Sequence, residues 1–150
     1  MALKARIDAD LKTALLGGDK FSAQVLRGLK AAVLNEEVAT GKRDAGLDDI
    51  SIEQVVAKEV KKRHESASLY EQNDRAEAAA EERKEAEILS VYLPVQLSED
   101  ELKAIVAATI AKLGATTPAD MGKVIGAVKA EVGTSADGAS IAGLVKQALN

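Results

Sequence analysis

Apolar residues recur along this chain at the spacing of helical turns. Leu3, Ile7, Leu11 and Leu15 are four positions apart and therefore lie on one face of a helix, which the glycine pair at 17–18 ends. Similar stripes mark five further helices, and a charged helical segment, the fourth in order, is apolar only in its last turns. No segment alternates apolar and polar residues as a half-buried strand does. The pattern predicts an all-α protein of seven helices.

Polar residues with capping chemistry mark where the predicted helices begin. Asp19 opens the second helix, and Ser51 with Gln54 has the spacing of a capping box for the third. Asn73 is expected to end helix three in a left-handed conformation, and Asp74 to open helix four. Because the connection is so short, we expect helices three and four to form a long antiparallel hairpin.

The charged fourth helix ends in apolar residues around a proline. We expect Tyr92 and Leu93 to enter a core before Pro94 stops the helix, and Ser98 to open a capping box for the fifth helix. A helix that restarts so soon must run in a new direction, which marks a boundary. We therefore predict an N-terminal helical domain, residues 1–93, and a compact C-terminal three-helix bundle, residues 94–150.

The last two helices carry their own start and stop residues. Thr117 is expected to cap helix six, with Pro118 at its first position, and Gly133 to end it. Asp137 and Gly138 stand at the start of helix seven. These short helices supply the apolar stripes that the predicted bundle would bury.

Composition and charge narrow the classes of function. The 150 residues include 20 basic and 24 acidic side chains, a formal net charge of −4, which argues against a protein that coats nucleic acid indiscriminately. A local basic patch remains compatible with that total. The absence of cysteine fits a reducing compartment, and no segment approaches the roughly 20 apolar residues that cross a bilayer. We expect a cytoplasmic protein with no membrane partner.

Few residues suggest chemistry. A single histidine, His64, and no cysteine cannot build a metal cage, so we expect no metal, no cofactor and no catalytic residue. Glu59 and Arg63 are four residues apart and fall on the apolar arc of helix three. We interpret them as a partly buried structural ion pair that aligns helices three and four. The alternative is a general base at Glu59, for which no electrophile-binding site is visible.

Helix six has a second face with almost no side chains. Ala119, Gly122, Gly126 and Ala130 share that face, which we call the glycine strip, and Lys123 and Lys129 border it. Each interior glycine costs about 1 kcal/mol relative to alanine, so two on one face need a reason. The strip either packs closely against helix five or seven, or lets another polymer approach while lysines hold its phosphates.

The order of several segments resembles the GatB/YqeY family, and in particular its small stand-alone YqeY-like proteins. The likeness covers nearly the whole chain. The segments that carry it are "VLRGLKAAVLNEE", "KEVKKRHES", "EILSVYLPVQLSEDEL", "MGKVIGAV" and "ADGASIAGLVKQAL".

The resemblance implies a C-terminal unit similar to the tail domain of the B subunit of the tRNA-dependent amidotransferase, the part that grips tRNA. It also implies a label of carbon-nitrogen ligase with glutamine as amide donor, although the catalytic domains of that enzyme have no counterpart in this sequence. We carry over tRNA contact only. With the border lysine Lys129, the expected nucleic-acid-binding residues are Gly122, Lys123, Gly126, Lys129, Asp137, Gly138 and Lys146.

Three functions follow from this reading. The first is a non-catalytic accessory module that binds tRNA, or an aminoacyl-tRNA or amidotransferase complex, through the C-terminal bundle. The second is a protein-interaction adaptor that uses the exposed helix hairpin. The third is amidotransferase-like activity, which the family resemblance alone implies.

Overall fold

The computed structural model describes residues 2–150 and confirms an all-α fold. Within that range there are seven α-helices, two short 3-10 helices and no β-strand. The α-helices are α1 (Leu3–Leu16), α2 (Lys20–Ala39), α3 (Asp49–Gln72), α4 (Ala76–Ser90), α5 (Glu99–Leu113), α6 (Met121–Val132) and α7 (Gly138–Leu149).

Side-chain caps begin several of these helices where the sequence predicts them. The Asp19 carboxylate accepts a hydrogen bond of 3.1 Å from the backbone N–H of Ser22. Ser98 and Glu101 form a reciprocal capping box, in which each side chain accepts from the other residue's backbone N–H at 3.1 and 2.9 Å. Each contact satisfies a donor that the first helical turn would otherwise leave unpaired.

The predicted cap of α3 is wrong. Asp48, rather than Ser51, is the capping residue, and its carboxylate accepts from the backbone N–H of Ser51 at 2.8 Å. Aspartate and serine cap equally well, so a run of such residues leaves the register ambiguous.

The predicted turn between α3 and α4 is displaced by one residue. Asn73 has φ −105°, whereas Asp74 has φ +58° and takes the left-handed conformation. Arg75 then precedes α4 with no side-chain cap. Asparagine and aspartate both tolerate positive φ, and the sequence does not distinguish them.

Helix six begins later than its sequence signals suggest. Pro118–Asp120 form a 3-10 turn, and the α-helix starts only at Met121. The Asp120 carboxylate accepts from the backbone N–H groups of Thr116 and Thr117, at 3.1 and 3.3 Å. Asp120 therefore satisfies the donors ahead of the 3-10 turn.

The described chain separates into two compact units, the first ending at Leu93 and the second running from Pro94 to Asn150. In the first unit, α1, α2, α3 and the end of α4 surround an aliphatic core. Tyr92 is 3% exposed and belongs to this core, with Leu93 packed against it, as the sequence predicts. The fully buried members are Leu29, Ile52, Val56 and Leu89.

The second unit has a separate core. Helices α5, α6 and α7 all contact one another, and each contributes one apolar stripe. The Leu97 N–H donates to the Ser135 carbonyl at 2.8 Å, which ties the segment before α5 to the turn after α6. The core residues are Leu102, Val106, Val124, Val128, Val132, Ile141, Val145 and Leu149.

Candidate nucleic-acid interface

The glycine strip of α6 is open rather than packed against a neighbouring helix. Val124, Val128 and Val132 take the opposite face of α6 into the core, since the three recur every four residues. Gly122 and Gly126 are both exposed. A Cβ atom built on either glycine would have no heavy atom within 4 Å outside the adjacent helical backbone. Close helix packing therefore does not explain these glycines.

Lys129 forms the border of the strip on the α7 side. Its ammonium nitrogen lies 3.3 Å from the position that a Cβ would occupy on Gly138, the first residue of α7. Any larger residue at 138 would press against this side chain. The absent side chain of Gly138 thus lets a lysine of α6 reach over the start of α7.

Lys123 forms the other border, next to the 3-10 turn. Hydrogen bonds from the backbone N–H groups of Thr116 and Thr117 lower the pKa of Asp120, and the positive charge of Lys123 contributes to that shift. Lys123 is exposed and makes no ion pair with any residue in the range 2–150. Its charge remains available to a ligand.

Asp137 is occupied by a structural role. Its two carboxylate oxygens accept from the backbone N–H and from the hydroxyl of Ser140, both at 2.8 Å. These contacts make Asp137 the N-cap of α7. Of the predicted binding residues, Asp137 is therefore the one whose polar atoms are already engaged in holding the helix.

Lys146 lies on the same helix as Gly138, eight residues later. Eight residues are slightly more than two turns, about 12 Å along the axis, so the two positions lie on neighbouring sides of α7. Lys146 is exposed and, like Lys129, has no ion-pair partner among the residues that the structure describes. Helices α6 and α7 therefore carry three uncommitted cations.

Half of the six acidic residues of the second unit lie on α5, and the other half lie on or beside α6 and α7. Glu99, Asp100 and Glu101 fill the first turn of α5, where the helix dipole favours negative charge. Lys103 pairs with Glu99 at 3.4 Å. A unit with more acids than bases thus keeps most of its free positive charge on two adjacent helices.

The predicted pair of Glu59 and Arg63 is joined by a third residue. The Arg63 guanidinium lies 3.0 Å from the Glu59 carboxylate on α3 and 3.7 Å from the carboxylate of Glu85 on α4. Lys62 also donates to Glu59, at 3.0 Å. The sequence did not predict Glu85 as a member of this cluster, because only tertiary contact brings α4 beside α3.

The pKa values of the two carboxyl groups beside Arg63 are shifted in opposite directions. Burial acts to raise the pKa of Glu59, but hydrogen bonds from Lys62 and Arg63 outweigh it and leave this pKa below its ordinary value. Burial and the negative charge of Glu82 raise the pKa of Glu85, and the opposing attraction of Arg63 is smaller. The cluster therefore joins α3 to α4 through Arg63.

Sequence reasoning also missed a buried charge in the first unit. Glu37 is 1% exposed and lies on the apolar arc of α2, four residues after Val33. Its carboxylate accepts from the Lys4 ammonium at 2.7 and 3.0 Å. The spacing of four residues from the buried Val33 was the one feature of the sequence that could have predicted the burial of Glu37.

No cluster of three or more histidine, aspartate or glutamate side chains within residues 2–150 has the arrangement of a metal site. None of the described helices is both long and apolar enough to span a bilayer. His64 is exposed on α3.

Comparison with known proteins identifies the family. A family model described as "Yqey-like protein" matches residues 4–149. The chain belongs to the YqeY-like family. The two-unit helical chain described above is thus a YqeY-like protein over almost its full length.

Several fungal proteins are similar to this YqeY-like chain, and all bear the name "Altered inheritance of mitochondria protein 41, mitochondrial". The protein of Lachancea thermotolerans is 29% identical over 117 residues, 76% of this chain and 61% of the relative. That of Kluyveromyces lactis is 30% identical over 117 residues, with coverages of 76% and 62%. That of Clavispora lusitaniae is 30% identical over 105 residues, with coverages of 68% and 59%. The match spans less than two thirds of each relative.

These names contradict the predicted cytoplasmic location. Each of the three relatives is named as a mitochondrial protein. The prediction rested on the lack of cysteine and of a long apolar segment, and neither property separates the cytoplasm from another reducing compartment. The prediction of a cytoplasmic location is therefore wrong.

Proposed function

We propose that this chain is a non-catalytic helical module that binds tRNA, alone or within an aminoacyl-tRNA or amidotransferase complex, through α6 and α7. The observation that carries the proposal is the exposed glycine strip with uncommitted lysines on both borders. The named residues are Gly122, Lys123, Gly126, Lys129, Asp137, Gly138 and Lys146. Asp137 takes part as the cap that positions the start of α7.

A strip without side chains suits a polymer whose recognition runs along its backbone. Sugar and phosphate groups can approach the helix backbone closely where no side chain stands between them, and the bordering ammonium groups can then pair with phosphates. Lys123 and Lys129 lie on opposite sides of the strip, so a strand following it would pass between two cations. Such contacts position the nucleic acid without reading its sequence.

The charge of the whole chain sets the expected strength of binding. With a formal net charge of −4, the chain as a whole repels nucleic acid at long range, so binding depends on the local lysines. Each phosphate contact releases counterions, so the affinity should fall steeply with salt. We expect modest and salt-sensitive binding.

The same proposal includes the finer architecture. We interpret α3 and α4 as a long antiparallel hairpin, because Glu71 pairs with Arg83 at 2.7 Å while the earlier residue Arg63 reaches the later residue Glu85. We interpret α5, α6 and α7 as a three-helix bundle that presents the glycine strip on its outside. That the two units are independent domains remains a prediction.

The decisive experiment measures the anisotropy of fluorescently labelled tRNA across a salt series. Lys123→Gln and Lys129→Gln should each weaken binding several-fold and reduce the salt slope by about one unit, because each removes one phosphate contact. Lys112→Gln is the matched control, since Lys112 is an exposed lysine of the same unit on α5, away from the strip. Equal losses in all three variants would contradict the proposal.

A second variant separates binding from folding. Gly126→Leu should keep or raise the stability of the second unit, because open space surrounds the position and leucine favours helix more than glycine does. The added side chain should block approach of the nucleic-acid backbone and abolish binding. If this variant binds tRNA as the parent chain does, the glycine strip is not the contact surface.

The two other functions lead to different outcomes. An adaptor would use the far end of α3 and α4, where Leu69 is 59% exposed, and its partners would survive nuclease treatment in a pull-down. Amide transfer rests on the family resemblance alone and requires the purified chain to hydrolyse glutamine. We expect nuclease treatment to remove whatever the chain captures in the pull-down. We also expect the purified chain to hydrolyse no glutamine.

A further inference from the structure

A cavity of about 260 Å³ lies between α1 and α2 in the first unit. Its floor is apolar and consists of Ile7, Val33 and Ile52, with Leu34 at the side. Leu34 is 46% exposed, whereas the floor residues are buried. Small-molecule sites are typically apolar pockets of this kind with a few charged groups at the edge.

Two ion pairs cross the cavity from α1 to α2. Lys4 pairs with Glu37 at 2.7 Å, and Asp8 pairs with Lys30 at 2.7 Å. All four residues line the cavity. Lys4 and Asp8 are four residues apart, about 6 Å along the axis of α1, so the opening between the two pairs is narrow. An alkyl chain fits such an opening better than a broad ring system.

The charges that a ligand can reach are mainly positive. The Glu37 side chain is 2% exposed and is covered by its contact with Lys4, whereas the Lys4 side chain is 48% exposed. Lys30 and Asp8 are 46% and 48% exposed. The accessible groups at the rim are thus two ammonium groups and one carboxylate. The four charges of the lining sum to zero, but the groups that solvent reaches are mostly ammonium, and this exposure favours a ligand with a negative head group.

The buried carboxylate of Glu37 fixes the position of the Lys4 ammonium group. Burying an ion pair often stabilises a fold less than apolar residues of the same size would, so stability alone is a poor reason for Glu37. Its two contacts with the Lys4 ammonium instead hold that group at the edge of an apolar cavity. Lys4 is therefore positioned for a second anion on its exposed side.

We propose that this cavity binds a small amphipathic anion, with a medium-length alkyl chain on the apolar floor and a carboxylate at Lys4 and Lys30. The apolar chain would displace water from Ile7, Val33 and Leu34. The carboxylate would lie at the mouth, within reach of the exposed side of either ammonium group.

Octanoate is the probe, titrated into the intact chain and followed by amide chemical shifts and calorimetry. We expect saturable binding, with the largest shifts at Ile7, Ala31 and Leu34. Octylamine has the same chain with the opposite charge and should bind at least ten times more weakly. Equal binding of both probes, or no saturable binding of octanoate, would overturn the proposal.

Two variants test the head and the chain separately. Lys30→Gln should weaken octanoate binding several-fold. Lys12→Gln is the control and should leave binding unchanged, because Lys12 is an exposed residue of α1 outside the cavity. Ala31→Leu should fill the mouth and abolish binding without unfolding the protein, because Ala31 is exposed. Undiminished binding by Ala31→Leu would place octanoate elsewhere. Self-association of the chain through the cavity is the alternative outcome, and Leu34→Asp would abolish that association. That result would show that a second copy occupies the cavity and would contradict the proposal.

Discussion

The two units differ in the ion pairs that join one helix to another. In the first unit, Lys4, Lys30, Arg63 and Arg83 all pair with carboxylates and connect one helix to another. In the second unit, the lysines of α6 and α7 are left without partners among the described residues, although acids outnumber bases there. Charge that is committed to ion pairs fixes how helices align. The lysines of α6 and α7 have no such carboxylate within residues 2–150 to share with a ligand, whereas Lys4 and Lys30 offer a ligand only the exposed side of an ammonium group that is already paired.

Separating the two units tests whether the second one folds and binds by itself. A fragment of residues 94–150 contains the complete second core, so we expect it to unfold cooperatively on heating, with helical circular dichroism like that of α5 to α7. It should retain the salt-dependent binding of tRNA that the proposal assigns to it. A fragment that is unfolded would show that the second unit depends on the first.

Within the first unit, replacement of Lys4 should lower the free energy of unfolding more than replacement of Lys30 or Tyr92. Lys4→Gln leaves the buried Glu37 carboxylate without its cation and should lower the free energy of unfolding by about 2 kcal/mol, less than for a fully buried pair because water reaches Lys4. Lys30→Gln removes a half-exposed pair between the same helices and should cost under about 0.5 kcal/mol. Chemical denaturation measures both, and equal costs would contradict the distinction.

The hydroxyl of Tyr92 is the next contact in size. It donates to the Asp10 carboxylate at 2.6 Å, and Arg6 lies over the ring at 4.9 Å, so α1 holds the end of α4. Tyr92→Phe should cost about 1.5 kcal/mol, the usual value for a hydrogen bond to a charged group. Tyr70→Phe is the matched control, because its hydroxyl makes no hydrogen bond within the described chain.

Tyr92 also predicts an alkaline transition. Burial raises the pKa of Tyr92, and the hydrogen bond to Asp10 adds to the shift. Above a pH of about 10 the unfolded chain loses this proton first, so the stabilisation is present below that pH and is lost as the pH rises. Tyr92→Phe should flatten the alkaline limb of the stability curve, and an unchanged limb would argue against the buried hydroxyl.

A smaller effect tests whether the glycine strip is open. Gly126→Ala should raise the free energy of unfolding by about 0.5 to 1 kcal/mol, because alanine favours helix and nothing lies within 4 Å. Gly114→Ala is the contrasting control, because Gly114 has φ +64° at the end of α5 and alanine there is strained. Destabilisation by both substitutions would mean that Gly126 is packed.

The smallest expected effect separates Glu59 from Glu85. The lowered pKa of Glu59 means that its stabilisation is present above the ordinary glutamate pKa and is lost as the pH falls. The raised pKa of Glu85 has the opposite sign, so its contribution is present at low pH and is lost as the pH rises. Glu59→Gln should therefore flatten the acid limb of the stability curve, and Glu85→Gln should steepen it slightly. Identical profiles would contradict the assignment.

Much of the fold could be predicted because the helices are amphipathic and punctuated. The valines of α6 and the capping box of Ser98 with Glu101 are local patterns, and both are confirmed. Errors arose where several residues of equal local preference are adjacent. Asp48 and Ser51 both cap helices well, and Asn73 and Asp74 both tolerate positive φ, so neighbouring structure chose between them.

The candidate site was predictable only as a residue set. Periodicity placed Gly122 and Gly126 on one face of α6, but it left open whether another helix covered that face. The reach of Lys129 to Gly138 and the engagement of Asp137 by Ser140 depend on how α6 and α7 meet. The cavity between α1 and α2, with its buried Glu37, had no counterpart in the sequence-based interpretation.

By itself the sequence determined the all-α class, most helix boundaries and the family, because helical periodicity, capping and motif order are properties of nearby residues. Only the tertiary structure decided which charges are paired, which face of α6 is open and where a cavity remains. Those outcomes depend on contacts between residues far apart in the chain, such as Lys4 with Glu37 and Tyr92 with Asp10. Local preference does not encode the distance between two helices, and that distance decides whether a side chain meets a partner or solvent.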